Sequence, residues 1–332
     1  MCAEAVSATT AAKEAATKAL ADVPAEPGAA KPDPILVADN ITRRFGGLQA
    51  VNADHLEVQR GAITALIGPN GAGKTTMFNL LTGFDRPNTG RWSFDGQPLN
   101  RVGAHRVARK GMVRTFQLTK ALSKMTVMDN MRLGAVNQIG ENFFAGLLGL
   151  WHKQEREVTQ RANELLERFK LDTKKDDFAG SLSGGQRKLL EMARALMAKP
   201  KMIMLDEPMA GVNPALTQSL LGHVKELRED GMTVLFVEHD MDMVHDISDW
   251  VVVMGQGAIL TEGRPAEVMS NQAVIDAYLG EHHDGAEHDA DDAPDDESRT
   301  GGANAEEDAI DVVDADKGQS KDDPKNDESE SQ

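Results

Sequence analysis

A chain of 332 residues with 40 % apolar residues can bury a sizeable core, and its formal net charge of -17 marks it as acidic. The acidity is concentrated: 20 acidic and 4 basic residues lie from Glu281 onward, leaving 33 and 32 for positions 1–280. A near-neutral body excludes the basic excess of non-specific nucleic-acid binding, and the single cysteine, Cys2, excludes an internal disulfide.

Residues 1–34 are rich in Ala, Pro, Thr and Glu. Ala11–Leu20 has a helix-forming composition, but Pro24, Pro27, Pro32 and Pro34 follow, so a flexible leader with at most a transient helix is expected. No apolar h-region is present near Cys2, so no secretory or lipoprotein signal is expected. Ile35–Asn40 and His55–Val58 alternate like edge strands. Ile63–Ile67 is an apolar run ending at Gly68, and a helical pattern starts near Gly73, the strand–turn–helix layout of a phosphate-binding loop. The most apolar run, Phe143–Trp151, spans about nine residues where a membrane helix needs about 20, so no crossing of a bilayer is expected. Glu155–Phe169 reads as a helix with Leu165, Leu166 and Phe169 on one face. Helical patterns at Gly185–Met197 and Ala215–Glu229 alternate with Met202–Leu205 and Thr233–Val237, short apolar runs typical of buried parallel strands. Trp250–Met254 and Ala258–Glu262 flank Gly255-Gln256-Gly257, which predicts a hairpin. The segment 281–332 has too few apolar residues to offset the entropy of ordering, so an acidic disordered tail is expected.

Gly68-Pro69-Asn70-Gly71-Ala72-Gly73-Lys74-Thr75 matches G-x-x-x-x-G-K-[ST], with Thr76 next in the helix. The glycines let backbone N–H groups point at phosphates in conformations that a side chain would forbid. The helix N-terminus adds the positive end of its dipole. Lys74 can then reach the β- and γ-phosphates of ATP, and Thr75 can offer its hydroxyl to Mg²⁺. Met202–Leu205 ends in Asp206-Glu207, a strand end that would bring Asp206 to the metal and Glu207 to the water attacking the γ-phosphate. Seen alone, such a pair is as often a solvated strand end. His239 follows Val234–Val237 and Glu238; parallel strands deliver their C-terminal ends to one edge, so Lys74, Asp206 and His239 are expected to converge.

At Leu182-Ser183-Gly184-Gly185-Gln186-Arg187 the sequence resembles the LSGGQ signature of ABC ATPases, upstream of Asp206 as that family requires. The resemblance covers most of residues 35–280. It implies an α/β fold: a P-loop NTPase core, an antiparallel β subdomain and an inserted helical subdomain at roughly 118–200. It also implies that a second ABC ATPase subunit, identical or not, sandwiches two ATP molecules head to tail with this one. Ser183, Gly184, Gly185 and Gln186 would then face the γ-phosphate held by the partner; a plainer reading makes Ser183 an ordinary N-cap. Gln117, in Arg114-Thr115-Phe116-Gln117, resembles the Q-loop glutamine near Mg²⁺ and the attacking water. Phe45 resembles the aromatic that stacks on adenine, with Phe where many members have Tyr; it could equally be a core residue. Ala210-Gly211-Val212-Asn213 stands at the D-loop, where Asp is commoner than Asn213.

Arg114–Gln117, Glu207–Pro214 and Ala277-Tyr278-Leu279-Gly280-Glu281 resemble the ATPases of branched-chain amino-acid importers, and share parts with urea, short-amide and lipopolysaccharide transporters. The resemblance implies two membrane permeases as partners, a substrate-binding protein acting indirectly, no nucleic acid, and a position on the cytoplasmic face of the cell membrane. About 110 residues separate Lys74 from Ser183, too few for the coiled coil of DNA-repair relatives, and one cassette argues against translation-type relatives. Glu207 and His239 argue against a module that binds ATP without cleaving it.

Overall fold

The computed structural model describes residues 14–115, 122–136 and 151–284. Gln117, residues 143–150 of the apolar run and the tail from 285 lie outside the described residues. In chain order the strands are β1 (Pro34–Phe45), β2 (Leu48–Gln59), β3 (Ile63–Ile67), β4 (Thr89–Phe94), β5 (Gln97–Pro98), β6 (Met112–Arg114), β7 (Met202–Asp206), β8 (Thr233–Val237), β9 (Trp250–Gly255) and β10 (Ala258–Gly263). They form a four-stranded antiparallel sheet, β2-β1-β4-β5, and a six-stranded sheet, β10-β9-β3-β8-β7-β6.

The larger sheet follows from the apolar runs. Every residue of β3, β7, β8 and β9 is buried, as strands covered on both faces must be. The period of two divides them cleanly. Ala65, Ile67, Ile203, Leu205, Val234 and Phe236 join one core, packed with the helices Trp151–Arg168, Gly184–Met197, Pro214–Glu229 and Met241–Ile247. Leu66, Met202, Met204, Leu235 and Val237 join the other, with Phe78 and Leu81 of the helix Lys74–Leu81 and Leu36, Val58 and Trp92 of the antiparallel sheet. β3, β8, β7 and β6 are mutually parallel, with Leu66 opposite Val237 and Asp206 opposite Val237. Their C-terminal ends therefore share one edge. The expected hairpin is present: β9 and β10 pair antiparallel across Gln256 (φ 49°) and Gly257 (φ 83°), two left-handed residues as a tight hairpin turn requires.

Two expectations need correction. β1 and β2 run to 12 residues each, and β1 is internal, paired on both sides. β4 and β5 complete that sheet without having been anticipated. Residues 14–33, expected within a flexible leader, pack against the body. Ala16 and Leu20, one helical turn apart in and just past the helical segment 14–19, enter the second core. Lys31 Nζ pairs with Glu262 at 2.8 Å, both side chains 1 % exposed, and lies 4.8 Å from the Trp250 ring centroid. Glu262 also accepts from the Trp250 indole and the Ala29 N–H. An Ala- and Pro-rich composition resembled a linker; the apolar pair and one buried lysine anchor it.

Candidate active site

β3 feeds the loop Gly68–Gly73, and its glycines serve two purposes. A Cβ on Gly68 would stand 2.1 Å from the Met254 carbonyl oxygen, and one on Gly73 2.3 Å from that of Ala50. Those two permit backbone contact inside the chain. Gly71, at φ 75°, faces open space, so its left-handed backbone shapes the loop without a packing reason. Gly73 caps Lys74–Leu81 with no side-chain bond, which leaves the first N–H groups of that helix to an anion. Lys74 Nζ donates to the carbonyls of Gly68 (2.5 Å) and Pro69 (2.7 Å), holding its ammonium over the loop.

A cleft of about 540 Å³ opens above this loop. Phe45, Asn70, Gly71, Ala72, Gly73, Lys74, Thr75, Thr76 and Glu207 line it, so nine of the expected site residues meet in one place. Phe45 is 49 % exposed and the Arg43 guanidinium lies 4.5 Å from its ring centroid, so it is no core residue. Leu48, Gln49, Ala50 and Gln256 complete the lining and went unread in the sequence. Gln256 lay in the visible hairpin turn, but only the pairing of β9 with β3 brings that turn to the loop.

Asp206 ends β7, buried, and its Oδ2 accepts from Arg114 Nη2 at 2.6 Å. Arg114 also donates to Asn79 and lies over Phe78 of the P-loop helix. This link between loop helix and strand end joins Arg114, which in the sequence is visible only as part of Arg114–Gln117, to the site. Glu207 follows at φ 45°, a left-handed conformation costing a non-glycine residue about 1–3 kcal/mol. Its N–H donates to the Val237 carbonyl at 3.1 Å, which ties the turn to β8. Glu238 is buried and accepts from the Met209 N–H at 3.0 Å. Burial pushes its carboxyl up from the usual range, against that hydrogen bond. His239 lies two residues beyond the end of β8 at the same edge but does not line the cleft; its side chain is 69 % exposed and its Nδ1 lies 3.9 Å from Glu238.

Ser183, Gly184, Gly185 and Gln186 do not line the cleft either. Ser183 caps the helix Gly184–Met197 in a reciprocal capping box with Gln186, an N-cap role that is compatible with facing a phosphate as well. A Cβ on Gly185 would meet Leu216 Cδ2 at 1.6 Å, whereas one on Gly184 would meet nothing within 4 Å. Asn213 caps Pro214–Glu229 through the Leu216 N–H, a task Asp would perform equally.

Comparison with known proteins decides the family. The ABC transporter family profile matches residues 51–210, and that of branched-chain amino acid ATP-binding cassette transporters matches 258–284. The high-affinity branched-chain amino acid transport ATP-binding protein BraF of Pseudomonas aeruginosa is 44 % identical over 251 residues, 75 % of this chain and 98 % of BraF. The chain belongs to the ATP-binding subunits of ABC transporters. The probable LivG of Archaeoglobus fulgidus is 42 % identical over 246 residues, covering 74 % of this chain and 95 % of its own. A nucleotide-free ATP-binding cassette from an ABC transporter superposes with a TM-score of 0.65 at 39 % identity, over 74 % of this chain and 98 % of that one. A cassette in its ADP conformation gives 0.65 at 38 %, over 74 % and 99 %. As an ABC ATPase, this subunit has the nucleotide-binding α/β fold expected, and its reaction is ATP hydrolysis.

Proposed function

We propose that this ABC ATPase powers the import of branched-chain amino acids, with ATP on the Gly68–Thr76 loop, adenine on Phe45 and hydrolysis directed by Glu207. The observation that carries the chemistry is one cleft lined by Phe45, Lys74, Thr75 and Glu207. Lys74 exchanges the loop carbonyls for phosphate oxygens, and the N–H groups of an uncapped helix end add to its charge. Glu207 orients and polarises the attacking water. His239, at the neighbouring strand end, contacts the γ-phosphate when the site closes.

Mg²⁺ fits the donors present. Among the described residues no group of three His, Cys, Asp or Glu forms a cage, but Mg²⁺ is usually held by one or two protein oxygens with water and substrate phosphates. Thr75 and Asp206, with Gln117, are the ligands proposed. When bound, the ion would neutralise negative charge on the phosphates that Lys74 and the loop hold.

Two such subunits, identical or paralogous, sandwich two ATP molecules, each between one P-loop and the other's Ser183–Gln186. Gly184 supports this, since no described residue comes within 4 Å of a Cβ placed on it. The pair sits on two permeases at the cytoplasmic membrane face, fed by a substrate-binding protein. No described helix is long and apolar enough to cross a membrane. The cargo rests on the names of the relatives and on the profile matched at 258–284. Deleting the gene and measuring uptake of labelled leucine, isoleucine and valine beside urea tests it. Loss of branched-chain uptake, restored by complementation, is expected. Unchanged uptake of all three, in a strain without a redundant importer, overturns the cargo; loss of urea uptake instead would reassign it.

A further inference from the structure

Lys188 lies five positions after Ser183 on the helix Gly184–Met197, yet its ammonium is spent on a different element. Nζ donates to the backbone carbonyl of Glu207 at 3.2 Å and to that of Pro208 at 2.9 Å. These oxygens belong to the turn that carries Glu207 in a left-handed conformation. The same turn is held from the other side by the Glu207 N–H on Val237 and the Met209 N–H on the Glu238 carboxylate. The Glu207 side chain lines the nucleotide cleft while these four hydrogen bonds hold the backbone of its turn. A strained residue keeps one conformation only when its surroundings over-determine it.

We propose that Lys188 is a positioning residue for ATP hydrolysis: through the carbonyls of Glu207 and Pro208 it fixes the turn that aims the Glu207 carboxylate, and ties that turn to the signature helix. The proposal rests on the reading of Glu207 as the group that directs water. Its consequence is a mechanical link between the two ATP sites of a dimer. Ser183 and Gly184 open the helix toward the ATP held by the partner, and Lys188, little more than one turn along, holds the carboxylate acting on this subunit's own ATP. A tilt of the helix as its N-terminus engages one ATP is transmitted to Glu207 at the other. Burial lowers the pKa of Lys188, while Glu238, Glu191 and Glu207 raise it, so this ammonium is kept in a costly place by the acid groups around the turn.

The test uses the transporter assembled with its permeases. Wild type, Glu207→Gln, Lys188→Met, Lys188→Arg and the double variant Glu207→Gln/Lys188→Met are compared for kcat, KM for ATP and melting temperature. Lys188→Met is expected to lower kcat by about 10- to 100-fold with KM within about twofold, because the P-loop is untouched. Lys188→Arg, whose fork can reach two carbonyls, should recover most of the loss. In the Glu207→Gln background, Lys188→Met should change the residual rate less than about twofold, since two residues acting as a unit are not additive. Should Lys188→Met fold poorly, Lys188→Leu, which likewise removes the donor, is read by the same cycle. Near-wild-type kcat in Lys188→Met, an equal further fall in the Glu207→Gln background, or no recovery by arginine in a folded protein overturns the proposal. Wild-type turnover in Glu207→Gln alone would remove the underlying reading, and the clamp with it.

Discussion

Two adjacent signature glycines should fail for different reasons. Gly184→Ala adds a Cβ that meets nothing within 4 Å, and the residue opens a helix where alanine is acceptable. The change in stability should stay within about 1 kcal/mol, or about 2–4 °C in melting temperature for a body of this size. Gly185→Ala adds a Cβ at 1.6 Å from Leu216 Cδ2, 3.0 Å from its Cγ and 3.6 Å from its Cβ. Leu216 is only half-buried and can turn aside, so the overpacking should cost about 1–3 kcal/mol rather than prevent folding. Function should separate from stability. Gly184→Ala should bind nucleotide at its own P-loop with wild-type affinity, yet lose ATP-driven dimerisation and at least about tenfold in turnover, a deficit of about 1.4 kcal/mol or more in the shared site. Thermal melts, nucleotide titration and size exclusion in the Glu207→Gln background, with and without MgATP, read the three quantities. Wild-type dimerisation and turnover in Gly184→Ala would refute the argument that the open side of Gly184 receives the partner's phosphate.

Removing residues 1–33 should destabilise the body, because Glu262, fully buried, would lose the Lys31 ammonium; an orphaned buried charge costs about 3–5 kcal/mol, and a thermal melt within 2 °C of the full chain would contradict this. Phe45→Ala should weaken ATP by about tenfold or more while Phe45→Trp retains binding, since stacking a base on an aromatic is worth about 1–3 kcal/mol; equal affinity in both would exclude the adenine platform. Truncation after Glu281 should leave basal ATPase within about twofold, because charge on the tail is screened beyond about 8 Å at physiological salt; a larger change would show that the tail regulates.

The larger sheet was legible because buried parallel strands write themselves as short apolar runs, and Ile63–Ile67, Met202–Leu205 and Thr233–Val237 all emerged as strands. The antiparallel sheet was half hidden. Its strands mix exposed polar and buried apolar positions, and β4 contributes only Trp92 and Phe94 to the core. The phosphate-binding loop was legible because its chemistry is local in sequence. Arg114 and Lys188 were not, because each acts through a contact that only the order β8-β7-β6 and the packing of the signature helix create. The leader was misread because composition reports what a segment can bury on average, whereas Ala16, Leu20 and Lys31 bury three particular side chains. His239 shares the expected edge, but its exposed ring shows that a common strand end does not by itself bring a side chain into the cleft.

The most direct test of the whole account is ATP turnover by the assembled transporter carrying Glu207→Gln, with bound nucleotide quantified in the same sample. ATP should stay bound at the Gly68–Thr76 loop while hydrolysis falls by about 10²- to 10⁴-fold, the range for a positioned acid–base group. Turnover near that of the wild type, with ATP bound, would contradict the assignment of Glu207 as the residue that directs the attacking water.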